Sequence, residues 1–211
     1  MAQLKQRVEN LMPLDSHVQE TGKYVIRSLY FDDYFDNCLQ QIEDGTDPRE
    51  KFRIRIYNFS DSKISLECKR KERDKTLKVS CGLNKSDALQ LINGQILPNI
   101  EQQNPVLRKL TLSMMLSGYH PTVIVEYERT PFVYALGNVR VTFDTQIVSS
   151  SDFSLFFSPN IERRSVLPQG FHLMEVKYDD FLPSFIYDSL QMAELQRISF
   201  SKYCLSRKYI I

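Results

Sequence analysis

Lys51-Phe52-Arg53-Ile54-Arg55-Ile56-Tyr57 alternates strictly. Phe52, Ile54 and Ile56 fall on one side of an extended chain, Arg53 and Arg55 on the other. That period reads as a β-strand with one buried face. The second face is the unusual one. A solvated strand face mixes Ser, Thr, Lys and Glu, whereas this one sets two arginines about 7 Å apart along the strand. Each carries a planar, permanently charged fork that suits phosphate oxygens.

The design recurs along the chain. Ser65, Glu67 and Lys69 alternate with Ile64, Leu66 and Cys68, and Lys78 with Leu77, Val79 and Cys81. Arg140 and Asp144 stand opposite Val139, Val141 and Phe143, and Glu175 and Lys177 opposite Met174, Val176 and Tyr178. One charged strand face is ordinarily solvation. Five of one design favour a ligand site built from side chains.

Composition sets the limits. At 211 residues a single domain over 1–211, with a sizeable core, is expected. A net charge of +1 argues against a nucleic-acid or membrane-surface binder, so any positive field comes from arrangement. Cys38, Cys68, Cys81 and Cys204 have no metal or redox spacing and read as reduced core residues. His17, His120 and His172 are scattered. No apolar run approaches the roughly 20 residues of a membrane span, and the first residues lack a signal-peptide core, so a cytoplasmic address is expected.

Helical spacing of Leu4, Val8, Leu11 and Met12 predicts a helix over 2–12, stopped by Pro13. A strand is expected over 24–32, then a helix over 34–43 with Asp33 as cap. Strands over 51–58, 63–71 and 75–81 follow at hairpin spacing, the last two joined by Glu72-Arg73-Asp74. Helices are expected from Asn84 or Ser86 to Asn93 and over 105–117, with Gly118 after the second. Strands return at 122–128, 132–136 and 138–145. Residues 149–170 read as a long loop with a short helix, 172–178 as a strand and 181–195 as a helix interrupted by Pro183. Residues 199–206 fit strand or helix end. The order is α+β with antiparallel pairing, without βαβ alternation. A closed barrel, helices outside and the charged faces lining a lumen, is the favoured form.

No glycine-rich phosphate loop is present, so side chains must hold any phosphate. Arg53, Arg55, Lys69, Lys78, Arg129, Arg140, Lys177 and Lys202 suffice. Glu67, Asp144 and Glu175 are hard oxygen donors suited to Mg²⁺ or Mn²⁺, and each equally suits a salt bridge. Tyr30, Tyr127 and Tyr178 read as packing in the barrel wall.

Arg27-Ser-Leu-Tyr-Phe-Asp32, Lys51 to Tyr57, Leu66-Glu-Cys-Lys69, Tyr127-Glu-Arg-Thr-Pro-Phe132, Val139-Arg-Val-Thr-Phe-Asp144, Met174-Glu-Val-Lys-Tyr178 and Phe200-Ser-Lys-Tyr203, in that order, resemble the VTC domain. That is the polyphosphate polymerase domain of the vacuolar transporter chaperone family and its bacterial relatives, in the triphosphate tunnel metalloenzyme superfamily. The resemblance covers about residues 4–207. It implies an eight-stranded antiparallel tunnel whose basic interior binds ATP and polyphosphate and moves the γ-phosphate of ATP onto a growing chain. Arg53, Arg55, Lys69, Arg129, Arg140 and Lys202 match catalytic basic positions; Lys78, Lys177 and Arg27 are taken as further phosphate positions. Glu175 matches the metal ligand, with Glu67 and Asp144 as further metal candidates and Mn²⁺ or Mg²⁺ as cofactor. For Arg129, Glu126 and Glu128 all to face inward, a bulge is expected. Family members usually start with a strand ahead of the first helix, so that strand is expected to be absent or truncated here. An integral-membrane partner follows by family analogy. The alternatives are a triphosphate hydrolase in the same tunnel, a non-catalytic polyphosphate or inositol polyphosphate binding module, and a structural protein with a solvated charged sheet.

Overall fold

In the computed structural model, which describes residues 2–18, 20–73, 75–192 and 195–208, the alternating stretch is a strand. Strand β1 is Tyr24–Asp32, β2 Arg49–Tyr57, β3 Ser60–Glu72 and β4 Lys75–Leu83. β5 is His120–Tyr134, β6 Val139–Ser150, β7 Arg164–Ser165 and β8 Leu173–Lys177. Helices α1 to α6 are Ala2–Glu9, Asn37–Glu43, Lys85–Ile92, Pro105–Ser117, Ser184–Leu190 and Lys202–Lys208. The eight strands form one antiparallel sheet in the order β4-β3-β2-β1-β5-β6-β7, with β8 also paired to β6. Among the described residues this is a path with two ends, so the expected closure into a barrel is not formed.

The chain forms two compact units. The first comprises Met1–Val25, Tyr127–Ile147 and Leu167–Phe200; the second comprises Ile26–Glu126, Val148–Val166 and Ser201–Ile211. In the second unit Leu29, Phe31, Phe52, Ile54, Ile56, Ile64 and Leu66 meet Ala88, Leu91 and Ile92 of α3 and Val106, Leu107, Leu110 and Met114 of α4. Fully burying each such side chain contributes roughly 1.5–3 kcal/mol, which fixes the register of every strand involved. α3 is capped by Asn84, whose side chain accepts from Asp87 N. α4 begins on Asn104 and Pro105 and ends at Gly118, whose φ of 69° is easy for glycine. In the first unit Leu4, Val8 and Met12 pack with Phe132, Val139, Val141, Phe143, Ile186 and Leu190.

Several boundaries differ from the sequence expectation. α1 stops at Glu9, and Leu11 is exposed while Met12 is buried. α2 begins three residues later than expected, because Asp36 takes a left-handed φ of 55°. Asp33 Oδ1 accepts from Phe35 N and Asn37 N, and Asp32 accepts from Cys38 N and Leu39 N, so two aspartates share the capping. The expected strands 122–128 and 132–136 are one strand. Pro131 does not break it: Asp15 N donates to Pro131 O (3.1 Å) and Val133 N to Pro13 O (3.0 Å), so the 13–15 segment lies alongside. The 149–170 loop contains one helical turn at Phe153–Leu155 and also β7, whose two residues carry no periodic signal. The 181–195 helix is shorter, Ser184–Leu190, starting directly after Pro183; residues 193 and 194 of that expectation lie outside the described ones. So does Asp74 of the expected 72–74 turn. Residues 202–208 are helix, so Lys202 opens α6. All four cysteines are free thiols, three of them buried. Among the described residues no helix is long and apolar enough to cross a membrane.

Candidate functional site

In the second unit, pairing register builds the cationic face from the backbone up. Tyr30 on β1 stands opposite Arg53 on β2, which stands opposite Glu67 on β3. One step along, Ser28, Arg55 and Ser65 form the next row. On the other side of Arg53 come Lys51, Lys69 and Lys78, and beyond them Arg49 and Lys71. On β2 and β3 these residues alternate with core residues, so the hydrophobic pattern that anchors those strands also aims the cations away from α3 and α4.

Glu67 is the carboxylate of these rows. It accepts from Arg53 Nε (2.7 Å) and lies 2.6 Å from Arg53 Nη2, 2.8 Å from Lys78 Nζ and 3.9 Å from Arg55 Nη1. Burial pushes its pKa up, but the cations outweigh it and hold the group at about 2. The three cations around this carboxylate would repel a dication, so Glu67 suits a positioning role better than that of a metal ligand. Tyr30, which the sequence reading placed in wall packing, accepts from Arg53 Nη1 at 3.1 Å. Its ring lies 5.1 Å from that of Tyr203, whose hydroxyl donates to Asp32 Oδ2 at 2.5 Å. Burial raises the Tyr30 pKa, yet Arg53, Lys51 and Arg55 bring it down to about 8. The signal for Tyr30 lay in the register opposite Arg53, which composition does not show.

Arg27 is corrected outright. It shares a face with Leu29 and Phe31, on the core side of β1, and is fully buried. Its Nε donates to Glu126 (2.7 Å), and its Nη1 to the carbonyls of Leu155 (3.1 Å), Phe156 (2.8 Å) and Ser158 (2.5 Å). Its guanidinium lies 4.5 Å from the Phe59 ring centre. Burial lowers its pKa and Glu126 opposes the shift. Arg27 therefore pins the 155–158 segment and is turned away from the Arg53 face.

The first unit carries the second group. Arg129 grips Asp144 with two bonds, Nε to Oδ1 at 2.7 Å and Nη2 to Oδ2 at 2.8 Å, and Glu175 Oε2 lies 3.5 Å from Nη2. Burial works against the Arg129 charge, but Asp144, Tyr127 and Glu175 raise its pKa above the usual arginine range. Lys177 Nζ lies 3.1 Å from Glu175 Oε1. Arg140 donates to Tyr24 Oη (3.1 Å) and pairs with Asp15 (2.9 Å). The sequence reading missed Asp15. Glu128 turns to Lys23 (2.6 Å) and Glu126 to Arg27, so the shared inward facing expected of them with Arg129 is not formed.

Thr142 stands opposite Glu175, and its Oγ1 is buried without a hydrogen-bond partner among the described residues. Glu175 is 37% exposed, with longer cation contacts than Asp144. A partly exposed carboxylate suits a hard dication, and Asp144, bonded twice by Arg129, suits holding that arginine. Among the described residues no group of three or more His, Cys, Asp and Glu gathers. A dication held by Glu175 would then take most of its oxygens from phosphate and water, as Mg²⁺ commonly does.

In the second unit the apolar strand positions meet α3 and α4, and the alternate positions of β2, β3 and β4 gather rows of Arg and Lys. The model of the VTC domain family matches residues 1–211, and the chain belongs to that family. No curated protein sequence matches it. Among solved structures it is similar to a candidate adenylate cyclase from Bacillus halodurans, with 14% identity, 93% of this chain and 88% of that chain covered, and a TM-score of 0.53. It is also similar to the PH1819 protein of Pyrococcus horikoshii OT3 (12% identity, 90% and 79% covered, TM-score 0.42). A third similarity is to HpAC1 of Hippeastrum, a candidate adenylyl cyclase with a dominant triphosphatase activity (12% identity, 67% and 66% covered, TM-score 0.43). The Bacillus likeness shows a shared fold.

Proposed function

We propose that this chain is a metal-dependent phosphoryl transferase that moves the γ-phosphate of ATP onto a growing polyphosphate. The observation that carries this reading is the cationic face of β2, β3 and β4, where Arg53, Arg55 and Lys78 surround Glu67, and Lys69 stands in the adjoining row. Membership of the VTC family supports it. Phosphoryl transfer asks little covalent help of a protein; it asks for alignment and for neutralisation of charge on the transferring group. Arg53 is the residue best built for alignment, because Glu67 and Tyr30 fix its guanidinium from two sides. Arg55, Lys69 and Lys78 add charge to that face. In the first unit Glu175 is the carboxylate proposed to hold Mn²⁺ or Mg²⁺, which would neutralise phosphate charge when bound.

Arg53→Ala is expected to weaken tripolyphosphate binding about ten- to hundredfold, the value of a charge-assisted contact of roughly 1.5–3 kcal/mol. Calorimetric titration checks it, and unchanged affinity would take Arg53 out of the site. Glu175→Gln keeps the shape of the side chain but is a poor ligand for a hard dication. It is expected to bind tripolyphosphate as the wild type does without metal, and to lose ATP consumption across a Mn²⁺ titration. Full turnover at ordinary metal concentration would remove Glu175 as the metal ligand. The reading as a whole is tested by ATP consumption of the purified protein with Mn²⁺. Tight polyphosphate binding without any metal-dependent consumption would make it a binding module instead.

A further inference from the structure

Behind Arg53 runs a chain of contacts that reaches α6. Tyr30 Oη accepts from Arg53 Nη1 at 3.1 Å. The Tyr30 ring packs on the Tyr203 ring, with centroids 5.1 Å and planes 35° apart. Tyr203 Oη donates to Asp32 Oδ2 at 2.5 Å. Asp32 is fully buried. Asp33 N and Cys38 N donate to its Oδ1 at 2.9 and 2.8 Å, and Leu39 N to its Oδ2 at 3.0 Å. The carboxylate is gripped by the backbone around the start of α2 and by one hydroxyl from α6.

That hydroxyl is not what docks the helix. Arg207 Nη2 lies 2.5 Å from Asp36 Oδ1 and Lys208 Nζ 2.9 Å from Glu43 Oε1, so two further pairs tie α6 to α2. Tyr203 itself is buried. A buried tyrosine needs a partner for its hydroxyl, and any carbonyl would serve. A carboxylate holds it harder, because charge-assisted bonds are roughly twice as strong as neutral ones. The Tyr203 ring is therefore fixed more firmly than burial alone requires.

The neighbour of that ring gives the fixing a use. Tyr30 steadies Arg53 Nη1 while Glu67 accepts from Nε at 2.7 Å. Tyr30 can do so only while its own ring does not turn, and the Tyr203 ring is a surface it would turn against. Burial raises the Tyr30 pKa, and Arg53, Lys51 and Arg55 bring it down to about 8, in keeping with a phenol held close to those cations.

We propose that Tyr203, held by Asp32, is a positioning residue of the phosphate site: it fixes Tyr30, and through Tyr30 the guanidinium of Arg53. The proposal rests on the phosphate reading above and adds to it a residue on α6 that acts only through its neighbours.

The test is a double-mutant cycle on tripolyphosphate affinity, measured by calorimetry on the wild type, Tyr203→Phe, Tyr30→Phe and the double variant, below the lowest thermal midpoint of the set. Tyr203→Phe keeps the ring and the other ties of α6, so it is expected to fold. It is expected to bind tripolyphosphate about three- to tenfold more weakly, the range of an ordinary hydrogen bond. Tyr30→Phe should lose at least as much. The double variant should bind no more weakly than Tyr30→Phe alone, whereas independent effects would multiply. Ultraviolet titration gives a second readout: the phenol transition that disappears in Tyr30→Phe should move from about 8 in the wild type toward the ordinary value of 10 in Tyr203→Phe. Arg207→Gln, which loosens α6 without touching the Tyr203 bond, should lower the thermal midpoint and leave affinity unchanged. Multiplied losses in the double variant would overturn the proposal. So would a Tyr203→Phe protein that is less stable but binds and titrates as the wild type does, or an equal loss of affinity in Arg207→Gln. All three outcomes leave the phosphate reading intact if Arg53→Ala still weakens binding. A wild type that does not bind tripolyphosphate would overturn that reading as well.

Discussion

Arg27→Met is expected to destabilise the second unit by about 3–5 kcal/mol, the usual cost of breaking a buried ion pair from one side. Methionine fills much of the volume but donates nothing. Among the described residues Glu126 would keep only Arg163, 3.0 Å away and half-exposed, as a charged partner. The carbonyls of Leu155, Phe156 and Ser158 would lose a shared donor at the same moment. For a chain of this size the thermal midpoint should fall by roughly 10 °C or more. A midpoint within 2–3 °C of the wild type would show that Arg27 is not the pin described here. The prediction also separates roles, since the variant, if folded at low temperature, should bind tripolyphosphate normally.

Glu67→Gln is expected to act in opposite directions on stability and on binding. At neutral pH the variant should lose about 3 kcal/mol, the free-energy equivalent of a carboxyl moved from its ordinary value to about 2. Without the carboxylate, Arg53, Arg55 and Lys78 repel one another. The same change removes a negative charge from the cationic face, so tripolyphosphate should bind more tightly and rescue much of the lost stability. The pH dependence has a definite sign. The folded-state pKa is depressed, so the Glu67 contribution is fully present above the ordinary glutamate value, about 4.5, and is lost as pH falls toward about 2. Wild type and variant should therefore converge in stability across that window. Parallel curves down to the acid limit would contradict the cation cage around Glu67.

These expectations turn on facing, and facing is where the sequence was clear in some strands and silent in others. In β2 the alternation of Phe52, Ile54 and Ile56 with Arg53 and Arg55 shows both faces at once, because one face is apolar and the other charged. β1 matches its expected bounds, but almost every residue in it is buried. With Ile26, Ser28 and Tyr30 on one side and Arg27, Leu29 and Phe31 on the other, period two disappears, and Arg27 is assigned to the wrong face. Glu126 shares that fate inside the apolar run from Thr122 to Tyr127. Pro131 was legible as a strand breaker only in isolation; the backbone of residues 13–15 meets its neighbours' bonding needs, and that segment is distant in sequence. Tyr30 and Lys51 became visible through cross-strand register, which a single strand does not encode.

Of the candidate residues, Arg53, Arg55, Lys69 and Lys78 fall on one face of one unit, and Arg129, Arg140, Asp144, Glu175 and Lys177 on strands of the other. The three metal candidates, Glu67 in one unit and Asp144 and Glu175 in the other, differ in their partners. Asp144 is held at 2.7 and 2.8 Å by one arginine, Glu67 by three cations, and Glu175 more loosely. No property of the isolated residues distinguishes them, since all three are carboxylates on alternating strands.

The most direct test of phosphoryl transfer to a growing chain is ³¹P NMR of the products formed from ATP and Mn²⁺ by the purified protein. The account predicts ADP together with the chain-internal signals of polyphosphate, absent in Glu175→Gln. Orthophosphate as the sole phosphorus product besides ADP would contradict it and make water the acceptor.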